Sequence, residues 1–251
     1  MPELPASVRV ALWATHAWSG AISVPDAVRR ALPDVDHTQG LLDQLTVWRD
    51  LGEAAVLVAL PSPGATSGLP GCGPVARADA VDAGEALYVA ALGGLLVPHH
   101  GSYGSQGARA HRIDWMGHDA DPVPAHRLEA LEPSQLERHL RRRMLAAIDE
   151  LETAGATPWA DDVARDVAEE RLGTDWALPP DLGDRARKVI VLAGSLSLAT
   201  SVGMGTSGAL TSADDNRRAD VLRALHGDCE RTLADATNAA CAEMAGWVPA
   251  R

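Results

Sequence analysis

Five of the nine histidines fall between positions 99 and 126: His99, His100, His111, His118 and His126, with Asp114, Asp119 and Asp121 among them. Imidazoles beside carboxylates are a donor set for zinc and similar divalent ions. One chemistry this stretch offers is therefore a metal-assisted hydrolase using His99, His100, Asp114 and His118. Strand alternation restrains the idea. It sends His99 and His100 to opposite faces and separates His111 from Asp114, so each pair lends one member to a shared site. Neither H-x-x-x-H nor H-E-x-x-H is present. Surface and partly buried histidines are the plainer reading.

A second candidate is the run Leu60 to Ala76, LPSPGATSGLPGCGPVA, with four Gly and four Pro. So irregular a loop between regular elements is commonly a working one. Gly64, Gly68, Gly71, Cys72, Gly73 and Arg77 are its candidate ligand or partner residues. Backbone N–H groups at the start of the following helix can cradle an anion or nucleotide, with Arg77 the first positive charge. Against this, the four prolines remove donors and neither a P-loop nor a clean dinucleotide fingerprint is present. Cys72, near a helix start, could act as a nucleophile, but no histidine neighbours it in sequence. No G-x-S-x-G elbow occurs.

The elements that must position these residues are legible in outline. Ala6 to Trp18 reads as a helix, and Ser23-x-Pro25-Asp26 opens a short one through Arg30. Thr38 or Gln39 starts a third, with Leu41, Leu42, Leu45 and Trp48 on one stripe and Gly52 as its stop. Ala54 to Leu60 is a short apolar run, expected as a strand covered on both faces. Pro74 begins a helix closed by Gly84. Glu85 to Ala91 and Leu95 to Val97 follow as strands, with Gly93-Gly94 as turn or bulge. Strand, loop, helix, strand predicts a right-handed βαβ unit with parallel pairing. A last strand covers Arg112 to Met116, with Ile113 and Trp115 on one face. From Pro133 on, helices are expected over 133–151, 158–172, 184–204 and 214–247, the last interrupted at Gly227.

Composition excludes several functions. Net charge is −12, which opposes non-specific nucleic-acid and anionic-membrane binding. Arg138, Arg141, Arg142 and Arg143 are the one basic cluster, and Glu137 sits at i,i+4 to Arg141, so a solvated ion-pair face is expected there. One Lys against 21 Arg, two Asn, two Tyr and no Phe point to a high-GC coding bias. Three cysteines without C-x-x-C read as reduced thiols of a cytoplasmic protein. The N-terminus lacks a positive n-region, so it does not read as a signal peptide. The apolar run Val189 to Met204 is shorter than a bilayer requires and is expected to be a buried core helix.

The spaced motif Leu60-Pro61-x-Pro63-Gly64, Gly68-Leu69-Pro70-Gly71 and Ala83-Gly84-Glu85 resembles a group of uncharacterised actinobacterial proteins of about this length. The resemblance covers residues 54–100 and implies no activity. Ala65 departs from it, standing where an acidic residue is associated with the Pro-Gly step.

The expected architecture is mixed α and β, predominantly helical: a small βαβ-containing sheet packed with a helical bundle. Residues 1–130 hold helices and the sheet, and 131–251 the helical region, the two forming one domain or two. The leading functional expectation is a non-enzymatic binding or interaction protein that uses the 60–76 loop on a protein or small-molecule partner. A divalent metal, a bound anion and self-association through the 214–247 stripe are the alternatives.

Overall fold

A computed structural model describes residues 4–105, 109–153, 178–205 and 212–249. Helices α1 (Ala6–Trp18) and α2 (Val24–Ala31) open the chain. Ser23 caps α2 by accepting from the Asp26 N–H at 3.2 Å, and Pro25 sits in the first turn. Strand β1 (His37–Gln39) and helix α3 (Leu41–Asp50) follow. The expected helix start at Thr38 or Gln39 is therefore corrected. Gly40 turns the chain at φ +82°, and a Cβ there would lie 2.6 Å from the Trp115 carbonyl oxygen, so β1 is pressed onto the sheet. The Trp115 indole N–H donates to Thr38 Oγ1 at 3.1 Å and fixes the contact.

The sheet continues with β2 (Leu57–Ala59), helix α4 (Pro74–Ala83), β3 (Ala86–Val89), β4 (Gly94–Tyr103) and β5 (Ala110–His118). Its order is β1-β5-β4-β3-β2. Only β1 and β5 pair in parallel; the other neighbours are antiparallel. The parallel βαβ unit expected over β2, α4 and β3 does not form, since Leu57 stands opposite Tyr88 in an antiparallel ladder. The loop itself is the reason. From the end of β2 it climbs the height of the sheet, so that Cys72 bridges Ala120 just past the end of β5. Helix α4 then makes a second crossing, and two crossings bring β3 back antiparallel to β2. Strand β4 (Gly94–Tyr103) extends beyond Leu95–Val97 through an exposed half, His99 to Tyr103, whose residues carry no apolar alternation.

Helices α5 (Ala125–Glu129), α6 (Pro133–Thr153), α7 (Asp184–Gly205) and α8 (Ser212–Met244) complete the described chain. The expected helix over 158–172 lies outside the described residues. Helix α8 is continuous through Gly227. Its stripe Leu225, Cys229, Leu233, Ala236 and Ala240 is buried, and the core it joins includes α1 and the strands. Cys72, Cys229 and Cys241 are free thiols; burial pushes Cys229 and Cys241 up to about 12. On α6, Arg141 pairs with Glu137 at 3.0 Å and Arg143 with Asp228 at 2.7 Å.

Helix α7 is less enclosed than its composition predicts. Val189, Ile190, Ala193 and Gly194 are buried, but Val191, Leu192, Leu196 and Leu198 are only half-buried. A helix apolar all round needs neighbours on every side, and among the described residues α6 and α8 cover one part of its circumference. By length and composition alone it is long and apolar enough to cross a membrane, a test that core helices also pass.

The free edge of β2 is closed by side chains. Thr15 Oγ1, on α1, accepts from the Val56 N–H at 3.0 Å and donates to the Val56 carbonyl at 3.3 Å. Asn238, on α8, does the same for Val58: its Oδ1 accepts from the N–H at 2.8 Å and its Nδ2 donates to the carbonyl at 2.9 Å. Two helices thus supply the hydrogen bonds of a missing sixth strand.

Glu85 ties β3 to the start of α1. Its Oε2 accepts from the Ser7 N–H at 2.7 Å and the Ser7 hydroxyl at 2.6 Å, an anionic cap on a helix whose Pro5 offers none. Its Oε1 meets His100 Nε2 at 2.8 Å, and that hydrogen bond raises the imidazole above its ordinary 6.5. A raised histidine stabilises the fold fully below the unfolded value, and the contribution is lost as pH climbs through the folded one. Wild type should therefore lose melting temperature over that window relative to His100→Gln, in paired thermal melts against pH. The difference should be small because the His100 side chain is 53% exposed. A constant difference across the window would refute the linkage.

Candidate binding cavity

The four histidine-segment candidates do not form one site. The ladder puts His99, Asp114 and His118 on one face of the sheet and His100 on the other. His99 and His118 converge on a carboxylate that sequence spacing did not bring in, Asp79 of α4. His118 Nε2 lies 2.6 Å from Asp79 Oδ2 and His99 Nε2 3.2 Å from Oδ1. Asp114 is instead engaged by Arg112, which holds its carboxyl below the usual range. His100 belongs to Glu85. Among the described residues no group of three or more His, Cys, Asp or Glu is placed to hold a metal ion.

The loop candidates separate into anchors and lining. Ser62 and Ala65 exchange backbone hydrogen bonds of 3.1 and 2.8 Å around Pro63-Gly64, a tight turn with Gly64 at φ +83°. At the far end the Asp121 N–H donates to the Gly71 carbonyl at 2.6 Å, beside the Cys72–Ala120 bridge. Gly73 precedes the first residue of α4, and Arg77 donates to the Cys72 carbonyl at 3.3 Å. Gly64, Gly71, Cys72, Gly73 and Arg77 therefore build and pin the loop. Gly68, with Leu60, Ser62, Ala65, Ser67 and Pro70, lines a cavity of about 240 Å³.

The opposite wall comes from distant parts of the chain. Tyr88 of β3 and Asn238 of α8 are buried, each 4% exposed, and both line the cavity. Asn238 Nδ2, while serving Val58, also lies 3.4 Å from the Tyr88 hydroxyl oxygen and donates to it. Arg127 of α5 and Arg231 of α8 are exposed lining residues. Arg127 reaches the Ser67 carbonyl at 3.4 Å, and Arg231 holds Asp228 at 3.1 Å. Between them Asp235 is half-buried, and burial outweighs both arginines to raise its carboxyl above the ordinary 3.8. The same burial, with Asp235 nearby, pushes Tyr88 upward as well.

Sequence reasoning missed Tyr88, Arg127, Arg231, Asp235 and Asn238. One signal was available: Asp235 and Asn238 are polar residues inside the apolar stripe of α8, where a polar side chain needs a partner.

The fold is mixed α/β and predominantly helical, and the strand-edge helix α8 forms one wall of its loop-covered cavity. The chain belongs to the Rv1486c-like family: the model of its N-terminal domain matches residues 7–129 and that of its C-terminal domain residues 134–234. The resemblance carried by residues 54–100 lies within the first span. Neither description names an activity. No curated protein and no solved structure matches the chain. The cavity draws Tyr88 and Arg127 from the first matched span and Arg231 from the second, while Asp235 and Asn238 lie just past it.

Proposed function

We propose that this protein binds a small polar molecule in the cavity between the 60–70 loop and α8. The observation that carries the reading is the cavity's construction. A loop pinned at both ends covers a hollow whose opposite wall gathers a hydroxyl, a carboxamide, a carboxylate and two guanidinium groups from three separate elements. Concave sites with a few convergent polar groups are the usual form of ligand pockets. At about 240 Å³ the space lies below the ~300 Å³ at which drug-sized sites begin, so the occupant is small.

Gly68→Trp tests this. An added Cβ at Gly68 meets nothing within 4 Å and its φ lies outside the left-handed region, so an indole is accommodated at this lining position without straining the loop and narrows the cavity. Native mass spectrometry of freshly purified wild type should detect a small molecule at fixed stoichiometry, absent from a Gly68→Trp protein of unchanged melting temperature. Equal occupancy of both proteins would overturn the reading.

A further inference from the structure

We infer that the ligand of this cavity is a small zwitterion, an amine carrying an anionic group, with its ammonium on Asp235 and its anion between Arg127 and Arg231. The inference rests on the cavity reading above and names the chemistry of its occupant.

The wall presents one carboxylate and several donors. Among the described residues Asp235 has no hydrogen-bond or ion-pair partner, although it lines the cavity and is half-buried. A half-buried carboxylate is incompletely hydrated, and a cation in the cavity supplies the partner it lacks. The Tyr88 hydroxyl is similarly half-used: it accepts from Asn238, and its own hydrogen has no acceptor among the described residues. Both arginines also keep most of their five donors unspent, since among the described residues each guanidinium makes one hydrogen bond, to Ser67 and to Asp228.

These groups sort by depth and by charge. The guanidinium groups are at the exposed rim, and Tyr88 and Asn238 form the buried floor. A cation alone would satisfy Asp235 but would enter between two positive side chains. An anion alone would satisfy the arginines but would face Asp235. A molecule with both charges meets each with its complement, and its anion forms charge-assisted hydrogen bonds at the rim. The neutral hydroxyl of Tyr88 remains to donate to a ligand oxygen.

The test separates the two ends of the ligand. Wild-type protein is titrated with free α-, β- and γ-amino acids, with their methyl esters, which lack the anion, and with their N-acetyl forms, which lack the ammonium. Thermal shift and calorimetry are the readouts. At least one free amino acid should bind, and its ester and N-acetyl forms should each bind at least about tenfold more weakly, the worth of one charged hydrogen bond. Asp235→Asn should weaken the free amino acid by a similar factor while melting no lower than wild type, because the unpaired charge is gone. Arg231→Gln should weaken the free amino acid and leave the ester unchanged. An N-acetyl form binding as well as its parent, or Asp235→Asn binding as wild type, overturns the zwitterion. So does a panel in which no amino acid binds. If a compound without an amine then proves to occupy wild type but not Gly68→Trp, the cavity reading survives this loss; if Gly68→Trp binds everything that wild type binds, both fall.

Discussion

Asn238→Ala should unfold at markedly lower denaturant than wild type, with a loss of about 3 kcal/mol. The side chain is 4% exposed and sits on α8, 180 residues from the strand residue it serves. Removing it leaves the N–H and the carbonyl of Val58 without partners at a site with no exposure to water. Each orphaned buried group costs about 1–3 kcal/mol, and a cavity term adds to this. The Tyr88 hydroxyl loses its donor in the same step. Asn238→Asp discriminates the cause: it preserves shape and the acceptor for the Val58 N–H, but loses the donor and buries a charge. Both variants should be destabilised, whereas Thr46→Ala, at an exposed hydroxyl that bonds back to the Leu42 carbonyl of its own helix, should change little. Urea denaturation of the three proteins decides the matter. If Asn238→Ala lies within a few tenths of a kcal/mol of wild type, the edge of β2 is being satisfied by something other than this amide.

Gly93→Ala should be destabilised by a comparable amount, about 2–4 kcal/mol, for a different reason. Gly93 closes the turn between β3 and β4 at φ +70°, a conformation that L residues adopt only at a cost. A Cβ there would overlap the Ala120 carbonyl oxygen and stand 3.0 Å from the Pro122 ring, and that neighbour is backbone, so no side-chain rotation relieves it. The turn cannot easily yield, because Glu53 Oε1 accepts from the Ala91 and Leu92 N–H groups at 2.8 and 2.6 Å. The displaced segment, 119–122, is also the one that anchors the loop through Gly71 and Cys72. Gly93→Ala should therefore expose the 60–73 loop to proteolysis more than Gly84→Ala. Gly84 shares a positive φ of +74°, but a Cβ there meets nothing within 4 Å. Equal proteolysis rates in the two variants would remove the steric part of this argument and leave only the backbone strain.

Local rules reached far into this fold. The bounds of α1 and α4 follow from apolar spacing, Pro74 at a helix start and Gly84 at a helix end, and the structure reproduces both helices. Opposite placement of His99 and His100 needed only the two-residue period of a strand. Ile113 and Trp115 are both buried, as their shared face requires. Local rules failed where an element owes its existence to a partner. Three polar residues, His37 to Gln39, are a strand because β5 lies alongside them, and no propensity announces that. The direction of β3 depended on the loop spanning the sheet, a property of path rather than composition.

By itself, then, the sequence determined α1, α2, α4 and the long helices that begin near 133, 184 and 214, the buried strand at 57–59 and the presence of an irregular Pro/Gly loop. These are matters of period, capping and backbone freedom, which act within a few residues. Only tertiary structure decided that this loop faces Tyr88, Arg127, Arg231, Asp235 and Asn238 across a cavity, and that Asp79 joins His99 to His118. Those groups lie up to about 180 positions apart, as the Val58–Asn238 bonds show. Their meeting is fixed by burial of one shared core, which specifies which faces touch but leaves no local trace in the residues that meet.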